Sequence, residues 1–224
     1  MRAPVSQDFE SLKARHRGIR DDLPDALDLR VHRALSWLQR AEMCDDEDGR
    51  FIFLWIAFNA AYAQEMRLEE PMPEQKVLRE FLERLVALDG EKRLSGVVWT
   101  AFPNAIRMLL NNQYVFQPYW DCQNGRRPRG EWQGLFERAK VAASRALGSD
   151  DTARVLGLVF SRLYTLRNQM MHGGSTWNSS VNREQVRDGA DILEQLVPVI
   201  IDILMAHPEA DWGEPGYPVV ASGT

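Results

Sequence analysis

The stretch FIFLWIAFNAAY, Phe51 to Tyr62, constrains the fold more than any other part of the chain. Wound as an α-helix it is apolar on most sides, so no single stripe can face a core while the rest faces water. Such a helix has to be surrounded. With 45% hydrophobic residues among 224, the chain has the material to surround it within one core. The helix is expected from about Gly49 to Arg67, at the centre of the molecule. Asn59 is its polar group to watch, because a buried amide needs a hydrogen-bond partner. Phe51, Phe53, Trp55 and Phe58 read as core.

The surrounding elements read as helices too. Apolar residues recur at spacings of three and four along nearly the whole chain, and alternating β-branched runs are scarce, which makes the class all-α. Leu27, Val31, Leu35 and Leu38 set a stripe on a helix from about Asp25 to Met43, and the acidic turn CDDEDG separates it from the apolar helix. Pro71 and Pro73 break the chain before VLREFLERLVAL, which ends at Asp89 and Gly90. Glu91 to Asn112 is expected to be helical with a break at Pro103. Gln117 to Trp132 reads as a surface loop that carries Arg126, Arg127 and Arg129, a basic cluster able to track an RNA backbone or simply to be solvated. Helices follow from about Glu131 to Leu147 and from Asp151 to Met171. A last one runs from near Asn182, whose side chain is placed to cap it, to about Ala206. In this reading residues 1–207 form a single domain, with additional helices and the basic loop in 70–150. The Pro- and Gly-rich segment 208–224 is expected to be a loosely ordered tail.

Charge and composition exclude several functions. A net charge of -5 with both signs intermixed gives no global pull toward nucleic acid or anionic membrane, so any phosphate-binding role must be local. Cys44 and Cys122 are too few for a disulfide framework or a thiolate metal site, and they fit a reducing interior. There is no HExxH and His16, His32 and His207 are scattered, so neither a metal nor a cofactor is expected. A Walker loop, a GxSxG elbow and a GxGxxG turn are also absent. The opening residues lack the apolar core of a signal peptide. The runs FIFLWIAFNAAYA and LEQLVPVIIDILMA are too short to span a bilayer and are interrupted by Asn59 and Asp202, which points to a cytoplasmic location.

One polar set interrupts this pattern. In LRNQMMHGG, Leu166 to Gly174, the helix that packs Leu156, Val159, Phe160, Leu163, Leu166 and Met170 on one face also carries Arg167 at the margin of that face. A guanidinium there either snorkels outward or meets an anion. His172 follows five residues later, where Gly173 and Gly174 supply the permissive backbone that ends the helix. Arg167 and His172 are expected to converge on one groove beside Asn168, giving a permanent cation, a group that titrates near neutrality and an amide to orient them. Those parts suit RNA cleavage by the RNA's own 2′-hydroxyl: histidine serves as general acid or base, arginine compensates the charge on the phosphorane, and no metal is required. The same residues admit a structural reading, since the macrodipole favours histidine in a last turn and Arg167 could pair with a carboxylate.

The motif RNxxxH, here Arg167-Asn168-Gln169-Met170-Met171-His172, followed by a short glycine-bearing loop and a long final helix, resembles the HEPN superfamily (higher eukaryotes and prokaryotes nucleotide-binding). His32 to Ala63 is similar to the first helical pair of bacterial HEPN-like proteins carrying an FxxLWIAFNAxY pattern. The likeness covers roughly the opening helical hairpin and the last two helices. It implies an α-helical bundle that forms a homodimer, with the motifs of both copies facing one cleft. Many members are metal-independent endoribonucleases of toxin–antitoxin, antiphage or RNA-processing systems, so RNA and an antitoxin or other protein partner are implied. His172 would be the catalytic acid or base, Arg167 the phosphate and transition-state contact, and Asn168 the positioning amide. Arg162 would add to the positive charge of the shared cleft, and Tyr164 and Trp177, which flank the motif, could stack on bases or pack around the helix end. The alternative is a catalytically idle module of the same lineage that binds RNA, a nucleotide or a protein.

Overall fold

The structure is a computed structural model and describes residues 8–62 and 74–217. The described residues contain ten α-helices and no β-strand, in agreement with the periodicity. They are α1 (Phe9–Ile19), α2 (Asp25–Glu42), α3 (Glu47–Tyr62), α4 (Glu74–Leu88), α5 (Arg93–Gly96), α6 (Pro103–Leu110), α7 (Gln117–Gln123), α8 (Glu131–Gly148), α9 (Thr152–Met171) and α10 (Arg183–Ala206). No described helix is long and apolar enough to cross a membrane.

The apolar helix α3 lies between α2 and α10, its two principal neighbours. Phe51, Leu54, Trp55, Ala57, Phe58, Ala61 and Tyr62 are buried on it. Its remaining side is only half-buried, with Phe53 stacked on Trp37 at 5.7 Å and covered by the Arg40 guanidinium at 4.6 Å. Asn59 lies on this half-buried side rather than in the interior. Helix α9 takes the opposite role: α4, α6 and α8 pack on it, so the helices of the 70–150 segment surround the one that carries the motif. The expected extension of α3 through Arg67 lies outside the described residues.

Charged side chains fasten the bundle. Asp202, the charge in the middle of the last apolar helix, is buried on α10 and is held by Arg15 of α1 and by Arg93, whose Nη1 stands 2.7 Å from Oδ2. Arg50 on α3 binds Asp191 and Glu194 of α10 at 2.6 and 2.8 Å. Removing one member of such a set leaves an uncompensated charge, which costs about 3–5 kcal/mol where the group is buried.

Besides the burial of Asn59 and, below, the convergence of Arg167 with His172, four expectations are corrected by the coordinates. The segment from Gln117 is not all loop: Gln117–Gln123 forms α7, started by Pro118 in its first turn, where the missing N–H is harmless. Asn182 precedes α10, but its side chain makes no capping hydrogen bond and its Oδ1 is buried without a partner. Residues 208–217, expected to be loosely ordered, lie against the bundle. Trp212 is buried with its ring edge-on to Phe81, and its Nε1 donates to the His207 carbonyl at 2.9 Å. Arg30, itself buried, donates to the carbonyls of Ala61 and Gly213, each at 3.0 Å, and so ties the end of α3 to this segment. The fourth concerns Arg162.

Candidate functional site

The end of α9 is built by the two glycines. Gly173 adopts φ 69° and its N–H donates to the Met170 carbonyl at 3.2 Å, while the Gly174 N–H donates to Gln169 at 2.6 Å. This pair of bonds is the Schellman termination, in which the first residue past the cap is left-handed and the second closes a six-residue loop. A Cβ on Gly174 would lie 2.9 Å from the Gln169 carbonyl oxygen, so both positions require glycine. The helix therefore stays regular to Met171, and His172 becomes its C-cap, exposed to solvent.

Arg167 is half-buried, with its guanidinium over the rings of Tyr164 (5.5 Å) and Trp55 (5.9 Å). Within about 6 Å such contacts contribute roughly 0.5–1 kcal/mol each near a surface. Among the described residues no carboxylate lies within ion-pair distance of Arg167. Its Nη1 donates to Asn168 Oδ1 at 2.9 Å. That bond fixes which end of the amide faces the arginine and leaves the Asn168 NH2 to donate elsewhere. Gln169 on the next position donates to the Tyr114 carbonyl at 2.5 Å and pins α9 to the 3-10 turn Gln113–Val115.

The expected convergence of Arg167 and His172 is not seen within one chain. No hydrogen bond joins them, and five residues at 100° each set them about 140° apart around a helix that is regular between them. Arg167 leans toward α3, whereas His172 faces outward at the tip.

Arg162 is brought to neither. It is 5% exposed, it sits over Phe116 at 4.5 Å and near Phe136 at 5.9 Å, and burial pushes its guanidinium pKa down to about 10. About 1.4 turns separate it from Arg167, enough to put it on the face that α6 and α8 cover, so it is an interior cation rather than a contact for RNA. Tyr164 is 37% exposed and Trp177 75%, both open to a ligand. Trp177 sits in the loop after His172, which the start of α3 and the residue before it hold in place: Trp177 Nε1 donates to Asp46 at 3.4 Å, the Asn178 N–H to Asp48 at 3.3 Å, and Arg183 pairs with Asp48 at 2.7 Å.

Sequence reasoning missed this loop clamp and the place of Trp55 beneath Arg167. Trp55 is buried with its indole N–H unpartnered. Neither has a local signal, since each depends on α3 packing beside the end of α9. Arg126 and Arg127, offered as RNA contacts, are engaged with Asp121 and Glu131 at 3.1–3.9 Å. Among the described residues no group of three or more His, Cys, Asp and Glu side chains is disposed to hold a metal ion. Comparison of the chain with protein-family models, with curated proteins and with solved structures returns no match.

Proposed function

We propose that the protein is a metal-independent endoribonuclease whose site is completed by a second copy of the chain. The observation that carries this reading is the state of Arg167: a half-buried guanidinium laid on two aromatic rings, oriented by Asn168, and without a carboxylate partner among the described residues. A cation so placed is pre-positioned for an anion supplied from outside. His172, exposed at a rigid helix end in the same motif, supplies the group that moves a proton near neutral pH. The resemblance of RNxxxH and its flanking helices to HEPN proteins supplies the substrate class.

In the reaction the 2′-oxygen forms a bond to phosphorus while one His172 takes its proton. The bond from phosphorus to the 5′-oxygen then breaks, and the imidazolium so formed gives that proton to the leaving oxygen, the other copy supplying Arg167. Arg167 offsets the charge that gathers on the phosphorane between these steps. The angular separation of Arg167 and His172 within one chain is the reason for invoking two: across a two-fold axis, the groups that one helix holds apart can meet those of another. Met171, Trp177 and Val181, exposed around the motif, supply apolar surface for such a contact.

The test is cleavage of labelled RNA by homogeneous protein in excess chelator, with products ending in 2′,3′-cyclic phosphate. His172→Ala and Arg167→Ala should each abolish it while the thermal transition persists. An equimolar mixture of the two variant chains should regain activity if one copy's arginine serves the other's histidine. Intact RNA after treatment with chelated wild type, or undiminished cleavage by His172→Ala, refutes the assignment. Binding without cleavage would identify an idle RNA-binding module instead.

A further inference from the structure

A second basic surface lies at the far end of the same helix. An open groove of about 450 Å³ between α8 and α9 has an almost wholly apolar lining, made by Val141, Ala142 and the stems of Arg138, Arg145 and Arg154, so the guanidiniums stand at its rim together with Glu137. The three arginines are exposed, and among the described residues none of them is within ion-pair distance of a carboxylate. Glu137 is engaged by Lys140 at 2.9 Å. This contrasts with Arg126 and Arg127, whose charges are met by Asp121 and Glu131.

The placement is ordered. Arg138 and Arg145 are seven residues apart, two turns of α8 and about 10.5 Å along one face, with Val141 and Ala142 between them. Arg154 stands in the first turn of α9. From Arg154, steps of seven lead to Ser161 and Asn168, so one stripe of α9 runs from this groove to the motif, and Tyr164 lies exposed beside it. The axial distance from Arg154 to His172 is about 27 Å, the length of roughly eight nucleotides at a stacked spacing of about 3.4 Å.

We infer that the three arginines rimming the groove between α8 and α9 bind the backbone phosphates of an RNA strand whose scissile bond lies at the other end of α9. The inference rests on the ribonuclease reading above for the identity of the strand. Charge favours this occupant: a chain of net charge -5 keeps three exposed arginines, without an ion-pair partner among the described residues, around one groove, and one of them, Arg154, begins the stripe that ends at Asn168. The consequence is a preference for long substrates over short ones, since a dinucleotide reaches only the motif.

The probe is a fluorescent oligouridylate with 2′-O-methyl riboses, which has no nucleophile and so reports binding alone. Its dissociation constant is measured against salt for wild type, for Arg138→Gln/Arg145→Gln/Arg154→Gln, and for the charge-matched control Arg126→Gln/Arg127→Gln/Arg129→Gln. Loss of three phosphate contacts on a single strand lowers the slope of log affinity against log salt by about 2. The groove variant should show that drop and bind at least about tenfold more weakly, whereas the control keeps the wild-type slope. It should also lose cleavage of long RNA through a raised KM while cutting a dinucleotide as wild type does. The inference is overturned if wild type does not bind the probe, if the groove variant keeps affinity and slope, or if the control falls equally. Probe binding that falls in the groove variant, with no cleavage of any RNA by wild type, would instead sink the catalytic reading and leave the arginines as a phosphate-binding site.

Discussion

Replacing Gly189 by alanine tests the close crossing that positions the motif helix. A Cβ at Gly189 of α10 would lie 2.9 Å from Leu163 Cδ2 and 3.0 and 3.3 Å from two carbons of the Phe51 ring. Carbon atoms prefer about 3.5–4.0 Å, and both neighbours are fully buried, so neither side chain has free space to retreat into. Overpacking of this kind costs about 1–3 kcal/mol. The change also removes a helix-interior glycine, which contributes about 1 kcal/mol in the opposite direction. Gly18 in α1 has nothing within 4 Å of the corresponding position, so Gly18→Ala gains the propensity term alone. The propensity terms cancel in the difference between the two variants, which isolates the steric cost: Gly189→Ala should be about 1–3 kcal/mol less stable than Gly18→Ala. At about 2–4 °C per kcal/mol for a chain of this size, that is a gap of at least about 2 °C in Tm. Parallel urea titrations and thermal scans read it directly. If Gly189→Ala raises the transition as far as Gly18→Ala does, α10, α3 and α9 do not meet at that glycine, and the account of how Leu163 seats α9 one turn before Arg167 is wrong.

Other consequences are as direct. Arg162→Ala should lower stability by about 2–5 kcal/mol through lost packing against Phe116 and Phe136, whereas Arg162→Met, which fills the space without a buried charge, should be neutral or stabilising; equal losses in the two urea midpoints would mean the charge itself is needed. Burial holds the His16 imidazole below its ordinary 6.5 despite the Asp28 carboxylate at 2.6 Å, so the unfolded chain binds the proton more tightly. The stability this brings is complete above pH 6.5 and is lost as pH falls from there through the folded-state pKa; urea midpoints at pH 7.5 and 5.5 should differ less in His16→Gln than in wild type, and an unchanged difference refutes the assignment. Trp212→Ala should cost about 3–5 kcal/mol by emptying the site against Phe81, and an unchanged thermal transition would show that residues 208–217 stand outside the cooperative unit.

Much of the helical framework was legible because it is written in neighbours one turn apart. Periodicity marked the long helices, Pro103 marked the start of α6, Asp151 caps α9 by accepting from the Arg154 N–H at 3.0 Å, and the two glycines marked its end. The motif was legible as residue types in order, but its geometry was not: a stretch that stays helical to Met171 keeps Arg167 and His172 on different sides. Helix α7 escaped notice because seven residues carry too little periodic signal to outweigh their polar composition.

Arginine shows best where local information ended. Arg162 and Arg154 lie on one helix and look alike in sequence, yet one is enclosed by Phe116 and Phe136 and the other lines an open groove. The chain alone determined that these residues would be helical and which face each would occupy. Only the tertiary structure decided which faces the segments between Glu74 and Gly148 would cover, because a side chain's exposure is set by residues distant in sequence that pack over it. That covering left Arg167 half-open on Trp55, took Arg162 out of reach, and kept Arg138, Arg145 and Arg154 at the surface.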